Sequence, residues 1–158
     1  MKIFVVAVGN RMPNWIGEAF AEYAGRMPKT ARIALIEVKP ESRTTGKTVP
    51  QMLAAEAAHI EAALTRAQDC ERVALDEKGR DFTSLGFSTW LAGRIDAGRD
   101  LAFLIGGPDG LAASLKTGAA MQMRLSGLTL PHGLARVVLA EQLYRATSIM
   151  QNHPYHRQ

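Results

Sequence analysis

Residues 101–110 read LAFLIGGPDG, and how this stretch is taken decides the fold. Its first five residues are apolar without a break. A strand with one wet face alternates in polarity, so an unbroken run predicts a strand covered on both faces, as in a parallel sheet. The next five residues set three glycines around a proline, which predicts a tight turn with exposed main chain. Open parallel sheets bind ligands just there, outside the carboxyl ends of their strands. The spacing is not G-x-G-x-x-G, so a dinucleotide fold gains no support. A plain strand-to-helix turn fits this spacing equally well, because Asp109-Gly110 is a common turn pair.

Working outward, further short apolar runs occupy 3–8, 33–38 and 72–76, and segments of helical period occupy 14–26, 49–68, 84–97 and 134–149. In the second of these, Leu53, Ala57, Ile60 and Leu64 recur at steps of three and four. The last helix should bury Leu134, Val138, Leu139, Leu143 and Ala146. Strand–helix alternation of this kind predicts an α/β fold, a mostly parallel sheet flanked by helices. Three strand-end loops then qualify as ligand sites: after Val8, after Leu75 and after Ile105. The polar stretch 39–48, KPESRTTGKT, reads as a mobile surface loop. Its Gly46-Lys47-Thr48 resembles the end of a phosphate-binding P-loop, but position 41, where that motif needs a glycine, is Glu41. A helix start explains the tripeptide better, with Pro50 tolerated in the first turn.

Composition sets the bounds. A chain of 158 residues, 47% hydrophobic and 22% charged, suits one globular domain spanning 1–158. The net charge of +4 permits a polyanionic partner without demanding one. Cys70 is the sole cysteine, which rules out an internal disulfide and suits a reducing compartment. With Glu71 beside it to raise its pKa, it reads as structural rather than nucleophilic. The opening apolar run of six residues is too short for a signal peptide and reads as a first strand. No stretch nears the roughly 18 apolar residues that span a bilayer. A soluble, cytoplasmic protein without membrane contact is expected.

Chemistry-bearing side chains collect late in the chain. Three of the four histidines, His132, His153 and His156, lie in the final 27 residues. Segment 128–133, LTLPHG, is fixed by Pro131 and either presents main chain to a planar ligand or simply connects to the last helix. The tail 152–157, NHPYHR, is dense in donors and titratable groups able to stack on bases and contact phosphate. A metal site from His153 and His156 lacks a third ligand, so none is expected. Glu141 and Arg145, four apart on the last helix, form a surface pair or face the same pocket as the tail.

Taken in order, LIGGPDGL, LTLPHGLARVVLAEQLYRA, SI and NHPYHR, with KIFVVAVGNRMPNWI, FAEYAGR and VALDEKG, resemble the ribosomal RNA large subunit methyltransferase H family. The likeness runs along essentially the whole chain and weakens in 39–48. It implies a small SPOUT-type enzyme with a trefoil knot in the C-terminal part of the chain, a feature nearly absent among folds in general. It implies a homodimer that uses S-adenosylmethionine to methylate N3 of a pseudouridine in 23S rRNA of the assembled ribosome. By the same resemblance the cofactor contacts Leu75, Gly107, Gly127, Leu128, Thr129, Leu130, Pro131 and His132.

Methyl transfer to N3 needs the nitrogen aligned with the methyl group, water excluded and the N3 proton removed. The tail offers candidate catalytic groups: Arg157 and Arg145 as permanent charges, and Tyr155 as stacker or donor. His153 and His156 are candidate proton acceptors, because imidazole is the side chain suited to general acid–base work near neutral pH. A composite site is expected, with cofactor pocket and tail from different subunits. The rival readings are a non-catalytic ribosome-binding factor on the same fold, and a hydrolase built on His132 or His153. The hydrolase lacks a nucleophile elbow, and a pure binder needs no cofactor pocket.

Overall fold

The computed structural model describes residues 1–44 and 46–156. Five strands, β1 (Lys2–Val8), β2 (Arg32–Val38), β3 (Glu71–Arg80), β4 (Leu101–Ile105) and β5 (Met121–Met123), form one sheet in the order β2-β1-β4-β3-β5. Every pairing is parallel. The unbroken apolar run at 101–105 is the reason: β4 lies inside the sheet and all five of its residues are buried.

Alternate residues of the central strands feed two cores. Ile3, Val5, Ala7, Val73, Leu101 and Phe103 face helices α1 (Asn14–Arg26), α3 (Ser84–Asp96) and α5 (His132–Met150). Val6, Val8, Ala74, Ala102 and Leu104 face α2 (Val49–Leu64) and the short α4 (Ala113–Gly118). The result is helix, sheet, helix. Each fully buried Leu or Phe on these faces stabilises the fold by about 1.5–3 kcal/mol. Ser88 on α3 donates to the Ala146 carbonyl of α5 at 2.8 Å, which locks those two helices in register.

Local signals explain the helix starts. Thr48 caps α2 in a reciprocal capping box with Gln51, and Pro50 sits in the first turn. Gly46-Lys47-Thr48 is therefore a helix start, with Lys47 paired to Glu41 at 2.8 Å. Thr83 caps α3 by accepting from the Gly86 amide. The α2 stripe is buried at Met52, Glu56, Ala57, Ile60 and Leu64, one step round from expectation at Leu53. On α5, Leu134 and Val138 are only half-buried. The inward stripe instead starts with Gly133 and Arg136 and continues through Leu139, Leu143 and Ala146.

Three features were not expected. β5 and α4 are too short to carry a period. β3 runs on to Arg80 through charged residues because its far end pairs again with Met123 of β5 after a register shift. Gly79 permits this approach: a Cβ there would stand 2.6 Å from the Met123 main chain. Cys70 is half-buried at the start of β3, and burial with nearby Asp100 and Asp69, rather than Glu71, pushes its thiol up. No helix among the described residues is long and apolar enough to cross a membrane.

Candidate active site

The carboxyl ends of β3, β4 and β5 open into one cavity of about 690 Å³. Its floor and one wall are the residues that follow β4. Gly110 donates its amide to the Gly107 carbonyl at 3.0 Å and holds φ +77°, so residues 107–110 close a four-residue turn with Pro108 second. A Cβ on Gly106 would lie 2.3 Å from the Gly110 carbonyl, so only glycine fits there. The turn therefore presents main chain, not side chain, to the cavity.

The opposite wall is the loop between β5 and α5. Leu128, Thr129, Leu130, Pro131 and His132 line the cavity, as do Leu75 and Gly107. Gly127 belongs to the same loop without lining the cavity. Leu128 stands at the mouth, 79% exposed, as an apolar flap with nothing yet over it. The N-terminus of α5 opens here with Pro131 at its cap and no side-chain hydrogen bond. A 19-residue helix brings partial positive charge to that end.

Charged groups ring the rim. Asp76 accepts from the Lys78 amide at 2.9 Å and from Lys116 Nζ at 3.1 Å. Burial works to raise the Asp76 carboxyl, but these two partners outweigh it and hold the group below the usual carboxylate range. For His132, burial and the neighbouring Arg136 guanidinium push the imidazole below its ordinary value, with Glu56 opposing them. His132 is thus held neutral beside the cavity.

Two of the three strand-end loops build this cavity; the one after Val8 does not. Arg136, only 1% exposed, fills that end of β1. Its guanidinium donates to the Val8 and Gly9 carbonyls at 3.1 and 2.8 Å and pairs with Glu37 at 2.8 Å. Its Nε has no partner among the described residues. Sequence reasoning missed Arg136 because an arginine on a helix normally points to water.

The tail lies elsewhere. Helix α5 ends in a Schellman turn: His153 donates to the Ser148 carbonyl at 2.9 Å and Asn152 to Ile149 at 3.1 Å. Asn152 takes the left-handed conformation this requires, φ +53°. Pro154 follows, and residues Pro154–His156 form a single 3-10 turn. The chain doubles back onto its own helix. Asn152-His153-Pro154 is thus a helix stop: a residue that tolerates the left-handed conformation, with a proline two positions on.

Tyr155 lands in a side-chain cluster. Its hydroxyl donates to Glu141 at 3.0 Å, and Arg145 donates to the same carboxylate oxygen at 2.9 Å. The Arg145 guanidinium also stands 5.0 Å over the Tyr155 ring, which packs 4.7 Å from Tyr144. Burial, then hydrogen bonds with Tyr23 and Glu141, push the Tyr155 phenol well above its ordinary value. Glu141 and Arg145 form the i,i+4 pair, and both also meet the tail at Tyr155. His153 is exposed, its Nδ1 accepting from the Tyr155 amide at 3.2 Å. His156 Nδ1 is buried without a partner among the described residues. Arg157, an expected catalytic charge, lies outside the described residues.

No tail residue among those described lines the cavity. His132 and Glu141 are nine residues apart on α5, about 14 Å along the axis at 1.5 Å per residue. Within one chain the two groups of site residues stay separate.

An all-parallel sheet flanked by helices defines an α/β protein, and its main-chain-walled cavity lies over the strand ends, where ligands of such sheets sit. Solved methyltransferase structures share the architecture. One from Bordetella pertussis superposes with a TM-score of 0.58 at 14% identity, over 91% of this chain and 95% of that one. Another, from Legionella pneumophila and solved with S-adenosylmethionine bound, gives 0.51 at 13% identity over 92% and 66%. The family model described as Predicted SPOUT methyltransferase matches residues 1–156, and the chain belongs to the SPOUT methyltransferase family. Among curated relatives, the proteins named Ribosomal RNA large subunit methyltransferase H from Bordetella petrii and Ralstonia pickettii are 56% and 54% identical. Each is aligned over 157 residues, 99% of both chains.

Proposed function

We propose that this protein transfers a methyl group from S-adenosylmethionine to N3 of a pseudouridine in 23S rRNA, acting on the assembled ribosome as a cytoplasmic homodimer. The observation that carries the reading is the cavity at the ends of β3, β4 and β5, walled by the main chain of 106–110 and 128–131. Full-length identity above 50% to proteins named for rRNA methylation supports the substrate class.

The cavity fits the cofactor. Its volume lies within the 300–1,000 Å³ typical of small-molecule sites. Leu75, Ile105, Met123 and Leu130 give it apolar surface, and the glycine turn gives main-chain donors and acceptors. The uncapped end of α5 would favour a carboxylate. Leu75, Gly107, Leu128, Thr129, Leu130, Pro131 and His132 would hold the cofactor, with Gly127 shaping the loop behind them; when bound, the cofactor supplies an electrophilic methyl group on a sulfonium. A neutral His132 adds no like charge beside that cation.

The chain's own residues must then seat the nucleobase, exclude water and take up the N3 proton. The cluster of Glu141, Arg145 and Tyr155 holds the tail in a defined shape. Tyr155 gives the base a stacking edge, His153 or His156 accepts the proton, and Arg145 and Arg157 balance the charge that develops on the ring. With some 14 Å of helix between the two regions of one chain, a partner's tail is the one that reaches the cavity. The C-terminal trefoil knot that the resemblance implies belongs to this reading.

Calorimetric titration with S-adenosylmethionine, followed by methyl-transfer assays on intact ribosomes and on naked rRNA, tests the proposal. Binding with transfer to ribosomes is expected. Absence of binding by the folded protein would overturn it.

A further inference from the structure

Behind the glycine turn lies a buried charge that lines neither the cavity nor the tail cluster, though His132 feels it. Glu56 sits on the inward stripe of α2, 2% exposed, among Ala57, Ile60 and Leu111. Neither carboxylate oxygen makes a hydrogen bond among the described residues. Its charge is met by Arg43, whose Nη1 stands 3.1 Å from Oε1. A buried carboxylate with one ionic partner is costly, and an apolar residue of similar size would pack there more favourably. Stability alone therefore does not account for it.

Its surroundings do. Glu56 Oε2 lies 3.5 Å from where a Cβ on Gly107 would stand, so the carboxylate abuts the main chain of the turn. The second nitrogen of the same guanidinium, Arg43 Nη2, is 3.1 Å from Oδ2 of Asp109, within the turn. Arg43 Nη1 also contacts Met52 Sδ at 3.1 Å. One guanidinium thus spans α2 and the turn, reaching in from the polar segment that precedes α2. The cavity lies on the turn's other side.

We infer that Arg43 and Glu56 are positioning residues for the cofactor-binding turn, clamping residues 107–110 from the face opposite the cavity. The inference rests on the proposed reading of that turn as cofactor-binding. Glycines at 106, 107 and 110 let the main chain approach a ligand but leave the turn little side-chain restraint. A loop that must be ordered by its ligand weakens binding; one ordered beforehand does not. The planar fork of arginine can meet two carboxylates at once, which a lysine ammonium does far less well. Residues 39–44, part of the stretch expected to be a mobile loop, are on this account anchored at Arg43 and part of the site's support.

The test uses the full-length protein and the variants Arg43→Ala, Arg43→Lys and Glu56→Gln. Two readouts are taken: S-adenosylmethionine affinity with KM and kcat, and amide hydrogen exchange of peptides covering 106–111 without cofactor. Arg43→Ala should weaken cofactor affinity about tenfold while kcat at saturating cofactor changes less than about twofold. Exchange at 106–111 should rise, and Arg43→Lys should recover only part of both losses. Glu56→Gln should resemble Arg43→Ala, and the double variant should be little worse than either single one, as for groups acting as a unit. A folded Arg43→Ala protein with wild-type affinity and wild-type exchange would overturn the clamp. Should Glu56→Gln fail to fold, Arg43→Ala, at a partly exposed side chain, carries the test. If the wild type binds no cofactor, the proposed function fails, and the exchange readout still decides whether Arg43 holds the turn.

Discussion

The cavity and the tail sit on opposite ends of α5 and are made of different material. The cavity is walled by main chain: glycines, a proline-fixed loop and the start of a helix. The tail cluster is side chain throughout, with Tyr155, Glu141 and Arg145 joined by three hydrogen bonds and a ring contact. Main chain placed by a sheet is sensitive chiefly to substitutions that add a Cβ where none fits, or that remove the Arg43–Glu56 support behind it. A side-chain cluster on one helix is the reverse, sensitive to each member and independent of the sheet. The first suits holding a cofactor of fixed shape, and the second suits a part that must dock against something else.

That contrast can be broken by substitution, and the largest effect should come from the turn. Gly106→Val sets a branched side chain against the Gly110 carbonyl. It should cost about 2–4 kcal/mol in chemical denaturation and abolish measurable cofactor binding. Wild-type affinity in that variant would show that the turn is not the cofactor wall.

Next come changes in the tail, which should separate binding from transfer. Removing residues 152–158, or making Arg145→Ala, should lower methyl transfer about 10²–10³-fold. Cofactor affinity should stay within about twofold, since no described tail residue lines the cavity. Loss of affinity as well would place the tail within the pocket or the fold. Tyr155→Phe is a milder probe. It deletes the hydrogen bond to Glu141, so a loss of about 1 kcal/mol of stability is expected in denaturant melts, with transfer reduced about tenfold.

The smallest effect is the most discriminating, because the two regions should respond to pH with opposite signs. His132 has a depressed pKa in the fold. Below its ordinary value of about 6.5 the unfolded chain binds a proton that the folded one resists, so stability falls with falling pH. Tyr155 has a raised pKa. Its contribution is complete below about pH 10, the ordinary tyrosine value, and is lost as pH rises through the folded pKa. Melting curves across pH should show an acid loss of a degree or two that His132→Asn removes. They should also show an alkaline loss that Tyr155→Phe removes. An acid loss unchanged in His132→Asn would assign it to other groups.

Much of this architecture could be read from the chain. The apolar runs at 3–8, 33–38, 72–76 and 101–105 became strands, and the glycine turn after the last became the cavity wall. What stayed hidden follows a pattern. Met121–Met123 has three residues, too few to show a period. Residues 77–80 set three charges around a glycine and read as loop, yet they extend β3 because Arg80 pairs with Met123 of a distant segment. Glu56 and Arg136 lie on inward helix stripes where a charged residue looks like an interruption. Arg136 is buried because Glu37, 99 positions away, meets its charge, and Glu56 because Arg43 reaches back over the start of α2; such meetings leave no local mark.

Local chemistry was therefore settled by the amino-acid order itself: where strands run, where glycine must turn the chain, where α5 stops at Asn152. Period, steric bulk and capping act over a few neighbouring residues, so adjacent positions suffice to reveal them. Separation of the cavity from the tail, and the burial of Arg43's partner behind the turn, came only with the packed molecule. Those distances depend on which segments a sheet and two cores bring together across a hundred residues of chain, and no short stretch encodes that.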